Sequence, residues 1–159
     1  MKKPTLERRK VEYATLEEFL ADAERLVQAR ARTVGNWTLA QILGHLAYAI
    51  EKSIDGVPGT VPWYVRFVGR YILKPRILKH GMKPGFKLPA EAEKKAVPAA
   101  DSDVSAALER LRAAIRRVQS DPTRVPHPIF GPLSVEEWNR LHRRHAEMHM
   151  SFIADDSAR

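Results

Sequence analysis

Residues 134–153 read S-V-E-E-W-N-R-L-H-R-R-H-A-E-M-H-M-S-F-I and carry His142, His145 and His149 of the chain's 6 histidines. Winding the stretch at ~100° per residue gathers Val135, Trp138, Leu141, His142, His145, Met148, His149, Phe152 and Ile153 into one arc of roughly 140°. No charged residue falls inside that arc. Glu136, Glu137, Asn139, Arg140, Arg143, Arg144 and Glu147 are expected on the opposite, solvated side. The histidines therefore share the face that a globular helix turns inward.

A buried imidazole needs a hydrogen-bond partner or a metal, because an unsatisfied polar group away from water is costly. His145 and His149, at i and i+4, lie about 6 Å apart along the axis, which lets both rings converge on one ion. His142 with His145, at i and i+3, is the competing pair. Periodicity alone does not choose between them.

Outward from this helix, Ser134-Val-Glu-Glu137 is the capping box that opens it, and the proline-rich residues 120–133 form a rigid connector before it. Asp101-Ser102-Asp103 caps an earlier helix in which Val104, Leu108, Leu111, Ile115 and Val118 recur at heptad spacing. Near the start, Thr15-Leu-Glu-Glu18 opens a helix to about Arg30, with Leu16, Phe19, Leu20, Ala23, Leu26 and Val27 on its apolar stripe. Thr38-Leu-Ala-Gln41 opens the next, running to about Ser53 with Leu39, Ile42, Leu43, Leu46 and Ile50 facing in and His45 on the flank. Residues 1–14 read as an N-terminal arm. The expected architecture is all-α, a four-helix bundle in a single domain over residues 1–159.

Between the second and third bundle helices lies W-Y-V-R-F-V-G-R-Y-I-L-K-P-R-I-L-K-H, residues 63–80, a basic, aromatic helical insertion that Pro75 kinks or divides. Residues 81–100 follow as a loop. From Gly56 to Ala90 there is no acidic residue, while Arg66, Arg70, Lys74, Arg76, Lys79, Lys83 and Lys87 lie there. Three readings fit this insertion: contact with an anionic membrane surface, contact with nucleic-acid phosphates, or aromatics covering the bundle beneath solvated bases. The last is preferred, since none of the usual nucleic-acid-reading motifs appears.

The net charge of +8 speaks about partners rather than fold. The count of 0 cysteines removes disulfides and thiolate ligands, leaving histidine, carboxylate and water as metal ligands. The opening M-K-K-P-T-L-E-R-R-K has no apolar run behind its charges, and no stretch offers about eighteen uninterrupted apolar residues. A cytoplasmic location is expected. Trp37, Trp138 and Phe152 read as core, His127 as a solvent-exposed loop residue, and His80 as the end of the basic segment.

T-L-A-Q-I-L-G-H-L-A, residues 38–47, together with L-H-R-R-H-A-E-M-H, residues 141–149, resembles the DinB-like (YfiT-like) superfamily of four-helix-bundle proteins. H-P-I-F-G-P-L-S-V-E-E-W, residues 127–138, resembles an uncharacterised domain-of-unknown-function branch of it. The resemblance implies a divalent metal, zinc or nickel, held by one histidine of the second helix and an H-x-x-x-H pair of the last: His45, His145 and His149. His142 would then orient a ligated imidazole from behind, or simply pack. Relatives of this kind include thiol transferases and metal-dependent hydrolases, and the resemblance admits a homodimer. They often carry an acidic residue where this chain has Ala49, so no general base is assigned.

Two functions from different classes follow. One is a metal-dependent enzyme of thiol-transferase or hydrolase type acting on a small molecule, a low-molecular-weight thiol among the candidates. The other is a non-catalytic bundle whose basic face binds an anionic partner or membrane and whose histidines are structural.

Overall fold

Regular structure begins where side chains take over orphan backbone donors. The computed structural model describes residues 8–87 and 89–154. Its elements are α1 Leu16–Gln28, α2 Leu39–Asp55, α3 Trp63–Val68, a π-helical turn Gly69–Leu73, α4 Lys74–His80, α5 Ala90–Ala96, α6 Val104–Ser120 and α7 Val135–Met150. Among the described residues the chain is all-helical. Only isolated bridges, Thr33 with Ile153 and His127 with Gly131, pair extended backbone. Of the arm expected over residues 1–14, residues 1–7 lie outside the described residues.

The four long helices start where the capping residues predict. Thr38 and Gln41 close a reciprocal capping box on α2, and Ser134 and Glu137 do the same on α7. Asp103 caps α6 by accepting from the Ala106 N–H at 2.8 Å. On α1 the Thr15 hydroxyl accepts from the Glu18 N–H, but the Glu18 carboxylate reaches past the cap to the Ala14 N–H at 2.7 Å.

Helices α1 and α2 each pack against both α6 and α7. Their stripes meet in one core containing Phe19 and Leu26 of α1, Leu43 and Leu46 of α2, Leu111 and Ile115 of α6, and Met150 of α7. Each such side chain contributes about 1.5–3 kcal/mol by leaving water. A second, smaller cluster joins Leu78 of α4 to Phe130, Trp138 and Leu141. It fixes the underside of α4 to the first half of α7.

Several sequence expectations change in the fold. The expected loop over residues 81–100 contains α5, which packs against α2. Pro75 does not divide its helix; it sits at the start of α4, and the adjustment lies just upstream. There the Lys74 N–H reaches back five residues to the Gly69 carbonyl, the wider turn of a π-helix absorbing the donor that proline lacks.

Glu147, expected outside, is buried, because the preceding chain folds over α7: its carboxylate accepts from the Tyr13 N–H at 2.9 Å and from Arg144 at 3.0 Å. His127 is not a solvent-exposed loop residue. Its Nδ1 accepts from the N–H groups of Ile129 and Phe130, and its ring stacks on Phe130. Loss of water around that ring pushes its pKa down to about 4.

The largest difference concerns residues 63–73. Their aromatics do not cover the helices: Trp63 is 77% exposed, Phe67 57% and Tyr71 60%. Gly69 is the buried residue of this stretch, and a Cβ there would meet Ile129 Cγ2 at 2.3 Å and the Ile129 carbonyl oxygen at 2.8 Å. The helical segment thus lies on the connector through its glycine side, which turns the aromatic side outward.

Candidate metal centre

His45 is brought to the site by an uninterrupted α2, whose length carries it from the Thr38 cap into the core. The residue before it, Gly44, lies so close to Pro98 that a Cβ would stand 2.4 Å from the proline Cγ. That approach lets the chain leaving α5 rest on α2. The Gln41 amide reinforces it by donating to the Pro98 carbonyl at 3.1 Å. The consequence is a hydrogen bond from His45 Nδ1–H to the Ala96 carbonyl at 3.0 Å. A carbonyl only accepts, so the His45 proton sits on Nδ1 and Nε2 is left bare toward the interior.

α7 supplies the other two rings. His45 Nε2 lies 3.2 Å from His145 Nε2, and His149 Nε2 lies 3.0 Å from the same atom. All three ligand atoms fall within 4.8 Å of one another. The i, i+4 pair His145 and His149 is the one that converges with His45. His142 is turned away along the helix, stacked on Trp138 at 5.4 Å with its Nε2 buried and lacking a hydrogen-bond partner among the described residues.

Desolvation holds all the rings below the ordinary histidine pKa: His45 despite the Ala96 hydrogen bond, His145 with added repulsion from His149 and His45, and His149 down to about 3. Neutral imidazole is the form that ligates a metal. It also makes the proton arithmetic decisive. His45 Nε2 carries no proton, so its contact with His145 needs the His145 proton. Once that proton is in place, His145 Nε2 has no lone pair for His149. No distribution of protons on neutral rings gives two full hydrogen bonds here, whereas one central cation serves all three lone pairs.

The spacing fits such an ion. Zinc–nitrogen bonds of about 2.0–2.1 Å in tetrahedral array separate two ligand nitrogens by about 3.3 Å. Two of the three edges, 3.2 Å and 3.0 Å, are close to that value, and all three ligand atoms lie within 4.8 Å of one another. Among the described residues no carboxylate joins the cluster.

Two contributors were not legible in the residue pattern. The Ala96 carbonyl has no side-chain signature and comes from a stretch read as loop. Trp37, read as core, is half-buried, and its ring lies nearly parallel to His149 at 5.1 Å and edge-on to His45 at 5.0 Å. It reaches the site because the turn before α2 is pinned to the chain after α7. The Val34 N–H donates to the Phe152 carbonyl at 2.8 Å, and the Ala154 N–H donates to the Arg32 carbonyl at 2.7 Å. Beside Trp37 is an open hollow of about 300 Å³ lined also by Gln41, Glu93, Lys94 and Pro98. None of the three histidines lines it.

Comparison with curated proteins finds no match, and comparison with solved structures finds none. A family model does match, over residues 5–156, and by that match the chain belongs to the family described as Protein of unknown function (DUF1569).

Proposed function

We propose that this chain is a divalent-metal protein of the DinB-like superfamily, a single-domain four-helix bundle with residues 63–80 inserted between its second and third bundle helices. His45, His145 and His149 are the ligands, and zinc or nickel is the ion. When bound with a vacant position, such an ion activates water or a thiol as a nucleophile near neutral pH. The activity we assign is of thiol-transferase or hydrolase type on a small molecule, a low-molecular-weight thiol among the candidates.

The observation that carries this reading is the convergence of three Nε2 atoms whose protons cannot satisfy one another. Around it, the chain's own groups have definable work. The Ala96 carbonyl holds the His45 ring in the tautomer that presents a lone pair, the usual role of a group behind a ligating histidine. Trp37 covers one face of His149 and limits water on that side. The hollow next to Trp37 offers a small substrate an approach, and Lys94 on its wall is paired with Glu91 at 3.1 Å.

The test is metal analysis of protein purified without a histidine tag. Near one zinc or nickel per chain is expected, with none in a His145→Ala variant that keeps its helical circular dichroism. Metal-free native protein that takes up no added zinc or nickel would overturn the assignment. Turnover is then sought with a panel of thiols and hydrolysable esters, comparing loaded protein with the His145→Ala variant.

A further inference from the structure

Residues 63–80 carry a feature that the metal centre does not use. At ~100° per residue, Trp63, Tyr64, Phe67, Val68, Tyr71 and Ile72 fall on one side of the helical segment, and Gly69 lies nearly opposite. The structure keeps that partition: Gly69 is buried against Ile129, and the six apolar residues are exposed. Contiguous exposed apolar surface of this kind marks an interaction site. Around it Arg66, Arg70, Arg76, Lys79, Lys83 and Lys87 are all exposed, and none is in an ion pair among the described residues. Of the bases in this region Lys74 is the one neutralised, by Glu137 at 3.1 Å.

We infer that residues 63–87 form a docking surface for an anionic phospholipid membrane, with the aromatic side of the segment lying in the interface plane. An apolar stripe of Trp, Tyr, Phe, Val and Ile flanked by Lys and Arg is the composition that seats a helix at the headgroup boundary. No helix among the described residues is long and apolar enough to cross a membrane, so contact through this segment is in-plane.

Charge decides against a second copy of the chain as occupant. A two-fold pairing of this face would bring its unpaired bases together, and residues 56–90 supply no carboxylate to meet them. Single-stranded nucleic acid suits bases and aromatics, but not Val68 and Ile72, which offer no ring on which a base stacks. A bilayer uses the aliphatic and aromatic residues alike. The inference does not depend on the metal centre.

The experiment is co-sedimentation of the full chain with vesicles of phosphatidylglycerol and phosphatidylcholine in equal parts, against vesicles of phosphatidylcholine alone. Binding to the anionic vesicles, weakened by salt, is expected. Replacing Arg66, Arg70 and Arg76 by Glu should weaken partitioning by about a hundredfold or more, at roughly one basic contact per fivefold. A second variant, Trp63→Ser with Phe67→Ser and Tyr71→Ser, should weaken it by at least about tenfold.

These positions are solvent-exposed, and unchanged circular dichroism confirms that each variant folds. A further readout on the unmodified protein is quenching of tryptophan fluorescence by brominated lipid, expected because Trp63 enters the interface. Failure to bind anionic vesicles overturns the inference. So does equal binding to neutral vesicles with no effect of the charge reversals. Salt-sensitive binding of single-stranded RNA without vesicle binding would transfer the surface to nucleic acid. A concentration-dependent dimer abolished by the aromatic substitutions, again without vesicle binding, would transfer it to a second copy.

Discussion

The histidine end of the molecule and the aromatic segment invert each other's composition. Beside Trp37, three imidazoles converge among helices whose other buried residues are mostly apolar. On residues 63–73, tryptophan, tyrosine and phenylalanine face solvent. Burial of polar rings costs free energy unless something satisfies them, and exposure of large apolar rings forgoes the stabilisation that burial would give. Most of the chain obeys the ordinary partition, as the heptad of α6 and the stripe of α1 show. Two of the places that break it carry the two proposals made above, a cation among the histidines and a lipid surface on the aromatics. Departures from the hydrophobic pattern are thus more informative about function here than the pattern itself.

Two phenylalanines separate the regions most strongly. Phe19 is 0% exposed and Phe67 57%. Phe19→Ala should cost about 3–5 kcal/mol of unfolding free energy, and Phe67→Ala no more than about 0.5 kcal/mol. Equal costs in urea denaturation would mean that Phe67 is packed and that the outward aromatic face does not exist.

Next comes removal of the ion. With free metal about a hundredfold above its dissociation constant, chelation should lower stability by about 3 kcal/mol. The aromatic variants should show the same loss, since their surface is separate from the centre. A melting temperature indifferent to chelator would argue that the imidazoles are structural.

Two glycines give effects of about 1–3 kcal/mol each, the usual cost of forcing a methyl group into a filled space. Gly44→Ala places a Cβ 2.4 Å from Pro98 Cγ, and Gly69→Ala places one 2.3 Å from Ile129 Cγ2. The first should displace the Ala96 carbonyl from His45 and weaken zinc binding. The second should shift the aromatic segment and leave zinc binding intact. Zinc titrations on both variants read the difference; an identical response would show the two regions to be mechanically coupled.

The smallest effect comes from Asp22, whose partners are Arg9, Tyr13 and Arg25. Burial raises the Asp22 carboxyl, but hydrogen bonds from Arg9, Tyr13 and Arg25 outweigh it and hold the pKa below the ordinary aspartate value. The folded pKa is therefore lower than the unfolded one. The stabilisation is present above the unfolded value and is lost as pH falls through the acid range toward the folded one. Asp22→Asn should flatten that acid-side loss in a plot of stability against pH while leaving metal and vesicle binding unchanged.

Thr38 with Gln41, Asp103, and Ser134 with Glu137 announced helix starts because a cap is a local device spanning a few residues. The buried stripes of α1, α2 and α6 were legible for the same reason, as the angle between side chains on one helix follows from its own winding. Glu147 was misplaced because its wheel position says nothing about Tyr13 folding across it. The aromatics of residues 63–73 were misplaced because hydrophobicity names the residues that gain from burial, not whether a partner surface is available. Gly69 held the contrary signal, a position without a side chain in a helical segment otherwise full of large ones.

Local sequence determined that His142, His145 and His149 share one inward stripe and that His45 flanks another, since both follow from helical periodicity. Tertiary packing decided that His145 and His149, rather than His142 and His145, meet His45. It also brought the Ala96 carbonyl to the His45 ring through the close approach of Pro98 to Gly44. The physical reason is that winding fixes directions about a helix's own axis, while the point at which two helices' side chains converge depends on how residues distant in the chain pack against one another.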